Sequence, residues 1–229
     1  MELKASLSSQ DTHKCLLLGD SGVGKTTFLR RHATGHFKDT HKLTKGVQVH
    51  TLLLQTNYQD LALELWEVAG DERHGGLCDG YFFFAKCAII MFDLSVESTA
   101  LSVARWLRSF ERICGKQFPV IVCGNKADLK RMPRQLCYRQ QPSFDYCELS
   151  ARAAWNLEAP LELLSRQLLQ RRSLKLISQP IFKPKVGCSF NEDEMQQQMK
   201  VVHEIALPEL IEDADESEEY YMEDTIILN

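Results

Sequence analysis

The chain has 229 residues, 44% of them hydrophobic and 25% charged, with a formal net charge of -4. That length fits one domain with appendages or two small ones, and a core of this size needs no disulfide or metal staple. The composition excludes a disordered, collagen-like or cysteine-framework protein.

Residues 1–11 read as an N-terminal extension. Met1-Glu2-Leu3-Lys4 opens no apolar signal segment, and no stretch reaches the ~18 apolar residues of a membrane span. Position 2 is Glu rather than the Gly of a myristoylation signal, and Ile226-Ile227-Leu228-Asn229 offers no cysteine for prenylation. The expectation is a soluble intracellular protein without a membrane anchor.

Thr12–Leu18 is a short apolar run opening onto a glycine-rich turn. Val47–Gln55 and Asp60–Trp66 predict a hairpin around Asn57, with Leu61, Leu63 and Leu65 on one face at period two. Cys87–Phe92 and Phe118–Cys123 are continuous apolar runs, the pattern of strands buried on both faces of a parallel sheet. Between them, Leu101, Ala104, Trp106, Leu107, Phe110 and Ile113 trace a helical stripe. Leu157–Leu169 gives another, with Pro160 in or near the first turn, where proline is tolerated. Strand-like and helical stretches therefore alternate to about Gln170, which predicts a doubly wound α/β domain. Pro180 and Pro184 then break the pattern, and Asn191–Glu204 reads as a polar helix before Pro208.

Charge is unevenly placed. Residues 209–229 hold nine of the 31 acids and no base, leaving 22 acids against 27 bases in residues 1–208, a formal +5. A basic body with an acidic tail suggests intramolecular docking or competition for a charged partner; the plainer reading of the tail alone is a solvated segment. The eight cysteines (Cys15, Cys78, Cys87, Cys114, Cys123, Cys137, Cys147 and Cys188) form no Cys-x-x-Cys pair. Several sit in apolar runs, as buried thiols do in a reducing compartment, so neither a zinc site nor a disulfide set is expected. Trp66, Trp106 and Trp155 read as packing residues, the histidines lack metal-ligand spacing, and Arg171-Arg172 is too short a basic run for nucleic-acid binding.

Gly19-Asp20-Ser21-Gly22-Val23-Gly24-Lys25-Thr26 fits G-x-x-x-x-G-K-[ST], directly after the first strand and before a helical stretch. The glycines let backbone N–H groups of Asp20 through Thr27 wrap a phosphate, and the following helix turns its positive dipole end toward it. Lys25 would reach the β- and γ-phosphates and the Thr26 hydroxyl would ligate Mg²⁺. The alternative, a glycine turn matching by chance, fits poorly with the strand–loop–helix context.

Asn125-Lys126-Ala127-Asp128 follows the strand ending in Cys123. An aspartate in a base pocket accepts from both N1–H and the exocyclic amine of guanine, a donor pair that adenine lacks. The wrong base would leave a buried carboxylate unsatisfied, so such a site discriminates strongly. Four residues alone are a weak match; about 100 residues after the phosphate loop, and followed by Ser150-Ala151-Arg152, they become specific.

Residues 12–208 resemble the Ran branch of the Ras-like small GTPases. The matching blocks are Gly24-Lys25-Thr26-Thr27-Phe28, Arg31-His32-Ala33-Thr34-Gly35-His36-Phe37, Thr44-Lys45-Gly46-Val47-Gln48-Val49-His50, Gly75-Gly76-Leu77-Cys78-Asp79-Gly80-Tyr81, Cys87-Ala88-Ile89-Ile90-Met91-Phe92-Asp93 and Cys123-Gly124-Asn125-Lys126-Ala127-Asp128. The resemblance implies a P-loop G domain over residues 12–178, with a six-stranded, mostly parallel sheet flanked by helices. A C-terminal switch linker and helix (179–208) and an acidic tail (209–229) would follow. It implies GTP or GDP and Mg²⁺ as ligands, with Phe37 stacking on guanine, Thr44 completing the Mg²⁺ shell in the GTP state and Gly70 donating its N–H to the γ-phosphate. Ser150, Ala151 and Arg152 would meet the guanine oxygen through their backbone. The implied role is a switch in nucleocytoplasmic transport, shared between nucleus and cytoplasm and monomeric outside its complexes. Importin- or exportin-like receptors, an exchange factor and a GTPase-activating protein are the implied partners, with no nucleic acid among them.

Departures from the family pattern bear on catalysis. Asp-Thr-Ala-Gly-Gln stands here as Glu67-Val68-Ala69-Gly70-Asp71. Glu67 replaces the aspartate that meets Mg²⁺ through water, and Asp71 replaces the glutamine that orients the attacking water. An ionised aspartate only accepts, is shorter, and repels the γ-phosphate. The expectation is GTP binding with slow hydrolysis, unless Asp71 serves as a base. His74, Lys45 and Cys78 replace a phenylalanine, an apolar residue and an arginine of Ran, and the basic cluster is thinned to Lys130, Arg131, Arg134 and Arg139. A divergent GTP-binding module competing for Ran partners is the alternative.

Overall fold

Thr12–Leu18 forms the central strand β1 of the structure, a computed structural model that describes residues 12–38, 43–70, 78–129 and 144–177. Cys15 through Leu18 are fully buried because the strand has parallel neighbours on both sides and helices on both faces. The elements follow as α1 (Lys25–Thr34), β2 (Val47–Leu54), β3 (Leu61–Val68), α2 (Cys78–Phe82), β4 (Cys87–Asp93), α3 (Glu97–Cys114), β5 (Val120–Asn125), β6 (Asp145–Glu148) and α4 (Ala159–Leu168). The six strands lie in the order β2-β3-β1-β4-β5-β6, and β2 alone runs antiparallel, paired with β3.

The period-two placement of side chains divides the sheet into two faces. Leu17, Leu63, Leu65 and Ile89 pack with Phe28 and Leu29 of α1 and with Leu161 and Leu164 of α4. Leu16, Leu18, Ile90 and Phe92 point the other way, onto Ala100, Val103, Trp106 and Phe110 of α3. Those four α3 residues recur every three or four positions, so one face of the helix is apolar. Fully burying such a side chain contributes about 1.5–3 kcal/mol. The doubly wound Ras-like architecture expected from the sequence is present.

Boundaries differ in ways that have physical causes. β3 runs on to Val68 because its antiparallel ladder with β2 continues to the Val47–Val68 pair. β5 begins at Val120 rather than Phe118, since Pro119 has no N–H to give; its carbonyl instead accepts from Ala88. At its far end the ladder extends through Gly124 and Asn125 to Asp93, which carries Asn125 onto the strand tip. Leu157 is buried but precedes α4, whose first turn holds Pro160. The short elements α2 and β6 carry five and four residues, too few for a periodic signal.

Cys15, Cys87, Cys123 and Cys147 are buried free thiols and Cys114 is partly exposed. The side chain of Cys78, together with Cys137, Cys188, the 191–204 helix and the acidic tail, lies outside the described residues. Among the described residues no helix is long and apolar enough to cross a membrane.

His32 of α1 packs its ring edge-on against Phe28, centroids 4.6 Å apart, and its Nε2–H donates to the Leu157 carbonyl at 3.1 Å. Burial lowers its pKa from 6.5 to about 4, although the bond to Leu157 opposes that shift. The unfolded chain thus binds this proton first as pH falls, and the stability His32 contributes is whole above pH 6.5 and lost toward pH 4. Such a shift is worth at most about 3 kcal/mol, and the partly accessible ring brings the expected loss to ~1 kcal/mol. Urea denaturation at pH 7.5 and 4.5 should show the loss, and His32→Gln should flatten that part of the profile.

Candidate nucleotide-binding site

β1 ends at Leu18 and the chain turns back through Gly19, Gly22 and Gly24, all at positive φ (133°, 82° and 105°). Two of these positions also exclude a side chain by contact. A Cβ at Gly19 would stand 2.1 Å from the Met91 carbonyl oxygen, and one at Gly24 would stand 2.3 Å from Asn125 Nδ2. Gly24 caps α1 without any side-chain acceptor, and the first turn of α1 carries no acid. Its N–H groups and dipole are therefore presented to an anion.

Lys25 is buried and its ammonium donates to the carbonyls of Gly19 (2.5 Å) and Asp20 (2.9 Å), lying back along the loop it would serve. Burial lowers its pKa to about 8 against the opposing pull of the Glu67 and Asp20 carboxylates. The Asp20 carboxylate faces away: it accepts from Trp106 Nε1 (2.9 Å) and pairs with Arg105 (3.2 Å), so α3 braces the loop from outside. Asp20 thus offers the site its backbone. Ser21 is exposed at the mouth, whereas Val23 is buried beneath the loop. Thr27 follows Thr26 in the first turn of α1.

Three oxygens gather beside the loop. Thr26 Oγ1 donates to Glu67 Oε1, Thr44 Oγ1 donates to the same oxygen at 3.0 Å, and the two hydroxyls stand 3.0 Å apart. Glu67 is 1% exposed, and its second oxygen, Oε2, is buried without a hydrogen-bond partner. Gly70 packs directly on the phosphate loop, where a Cβ would stand 2.3 Å from Ser21 N. The neighbouring Ala69 N–H donates to Gly46 at 2.9 Å.

The expected base residues converge on the same end of the sheet. Asn125 Nδ2 donates to the Val23 carbonyl (2.8 Å), and its Oδ1 accepts from the Ala151 N–H (3.1 Å). One amide thereby joins phosphate loop and base loop. Lys126, at φ 62°, sets its ammonium 2.6 Å from buried Asp93. Asp128 accepts from Ser150 Oγ at 2.5 Å and faces Arg152 at 3.8 Å; the Ser150 hydroxyl in turn accepts from Ala153 N–H. Arg31 is 0% exposed and donates to the carbonyls of Ala151 (2.6 Å), Arg152 (2.9 Å) and Gly35 (3.1 Å). Its guanidinium lies 5.3 Å from the Phe37 ring, which brings Phe37 beside the base loop.

All the sequence-derived nucleotide and metal residues therefore gather at one edge, while Asp71 lies outside the described residues. The supports supplied by Trp106, Arg105, Arg31 and Asp93 were not legible in the motifs. Trp106 and Arg105 carry no local signal for a partner 86 and 85 residues away.

Removing the Asn125 amide leaves the buried Val23 carbonyl and Ala151 N–H without their bonds, each costing about 1–3 kcal/mol. Asn125→Ala should lower the unfolding free energy in urea by ~2–4 kcal/mol, and a loss below ~1 kcal/mol would show that the bridge is slack.

The geometry coincides with a family-level match. The sequence model described as Ras family matches residues 14–170, which run from within β1 through α4 and include every described site residue. That span exceeds two thirds of the chain, so the chain belongs to the Ras family of small GTPases and is a GTP-binding switch.

Proposed function

We propose that this protein is a Ran-branch switch of nucleocytoplasmic transport that works in nucleus and cytoplasm. It would bind GTP and GDP through Asp20–Thr27, Phe37, Thr44, Gly70, Asn125, Lys126, Asp128 and Ser150–Arg152. The observation that carries the guanine-nucleotide part is the Asn125 amide joining phosphate loop and base loop. Small GTPases of this family work with exchange factors and GTPase-activating proteins. The transport part rests on the Ran-type blocks Thr44–His50 and Gly75–Tyr81, and importin- or exportin-like receptors are its proposed partners.

Members of the family typically carry Mg²⁺ with the nucleotide. The donor set suits a hard cation: two hydroxyls and a carboxylate, with a buried carboxylate oxygen that has no partner. Thr26 and Thr44 would hold the ion, with the Glu67 carboxylate beside them. When bound, the ion neutralises phosphate charge. The chain's own contributions are distinct. Backbone N–H groups of the loop bind the phosphates, Lys25 balances their charge, and Asp128 reads the two guanine donors.

Slow turnover follows from Asp71. An aspartate lacks the amide donor that positions the water and adds a negative charge that would oppose the γ-phosphate, which would cost a few kcal/mol of barrier, on the order of 10²-fold in rate. A second reading draws on the same substitution: a module held in the GTP state that competes with Ran for receptors.

Single-turnover hydrolysis of bound GTP should be ~10²-fold faster in Asp71→Gln than in the native protein; equal rates would mean that Asp71 acts as a base. Pull-down of an importin-type receptor by the GTP-loaded but not the GDP-loaded protein tests the transport reading. Capture in both states favours the competing module, and capture in neither removes the transport role.

A further inference from the structure

The buried carboxylate of Glu67 stands one methylene further from its backbone than the aspartate of the family pattern. It is fixed from two sides. β3 holds its backbone between β1 and β2, where Glu67 pairs with Leu17 and with Gln48. The hydroxyls of Thr26 and Thr44 both donate to Oε1, which leaves their lone pairs free to turn toward a cation. Oε2 meets no donor, although it is buried in an almost fully covered residue. Lys25 does not take up this role, since its hydrogen bonds go to the carbonyls of Gly19 and Asp20. A buried carboxylate oxygen without a donor is costly, and a divalent cation satisfies it.

We infer that Glu67 ligates the nucleotide-associated divalent cation directly through Oε2, in place of the water that links the family's shorter aspartate to the ion. The inference rests on the guanine-nucleotide reading above and sharpens the role of one residue in it. The added reach of the glutamate suits the direct mode. An oxygen acting through a water stands about 4 Å from the ion and a direct ligand about 2 Å, and one methylene spans about 1.5 Å of that difference. The hydrogen bonds from Thr26 and Thr44 hold the carboxylate toward their own hydroxyls, the oxygens proposed to hold the ion. A direct carboxylate also binds the cation more firmly than a bridged one, and tolerates Mn²⁺ well because oxygen donors suit it.

The test uses the full chain loaded with Mn²⁺ and GDP, with waters on the metal counted from the broadening of its electron paramagnetic resonance lines in ¹⁷O-enriched water. With six positions, one filled by a β-phosphate oxygen, one by Thr26 and one by Glu67, roughly three waters are expected; a bridged Glu67 gives roughly four. Glu67→Asp should regain one water and lose Mn²⁺ to a chelator at least ~10-fold faster. Four waters on the native complex, or equal counts in native protein and variant, overturn the direct ligation while leaving the nucleotide reading standing. Failure of the native chain to hold Mn²⁺ and GDP at all overturns both. The count on the native complex decides the matter even where Glu67→Asp fails to fold.

Discussion

Asn125 is the interaction on which the site depends. Its amide donates to the phosphate loop through Val23 and accepts from the base loop through Ala151, and the residue is buried at the tip of β5. Two loops separated by more than a hundred residues are thereby held at a fixed distance, which is the requirement for gripping phosphate and base of one ligand. The constraint spreads outward. Gly24 must lack a Cβ because Asn125 Nδ2 occupies that space, and β5 must extend past its apolar run to deliver the amide. Arg31 closes the arrangement by tying α1 to the carbonyls of Ala151 and Arg152.

Charge is arranged around this frame with a consistent logic. Among the described residues, buried ions are met by fixed dipoles or an opposite charge: Lys25 by two loop carbonyls, Arg31 by three carbonyls, Asp93 by Lys126 and the Ser95 N–H and hydroxyl, Glu148 by the Tyr146 hydroxyl. Such pairing is what makes burial of charge tolerable. Glu67 is met on one side only, with Oε1 accepting two hydrogen bonds and Oε2 none. That imbalance lies beside the N-terminus of α1, where the helix dipole and Lys25 already favour negative ligands.

Much of this is legible in the sequence. The apolar runs at Thr12–Leu18 and Cys87–Phe92 are long enough to declare buried strands, and the α3 stripe carries its own period. The phosphate and base motifs are contiguous, so their residue types alone declare backbone cradling and guanine selectivity. What escaped was either short or distant. α2 and β6 span barely one turn and one ladder and leave no periodic trace. The bracing of Asp20 by Trp106 and Arg105 joins residues whose neighbours say nothing of each other. The deviation Glu67 was visible as a letter, but its bare oxygen is a property of packing alone.

Guanine-nucleotide binding at this end of the sheet is tested by denaturing freshly purified protein and separating the released nucleotide by chromatography. Guanine nucleotide in a near one-to-one ratio with protein, a sizeable part of it GTP, is the expected result. An empty pocket that refuses added GTP and GDP, or release of adenine nucleotide, would contradict it.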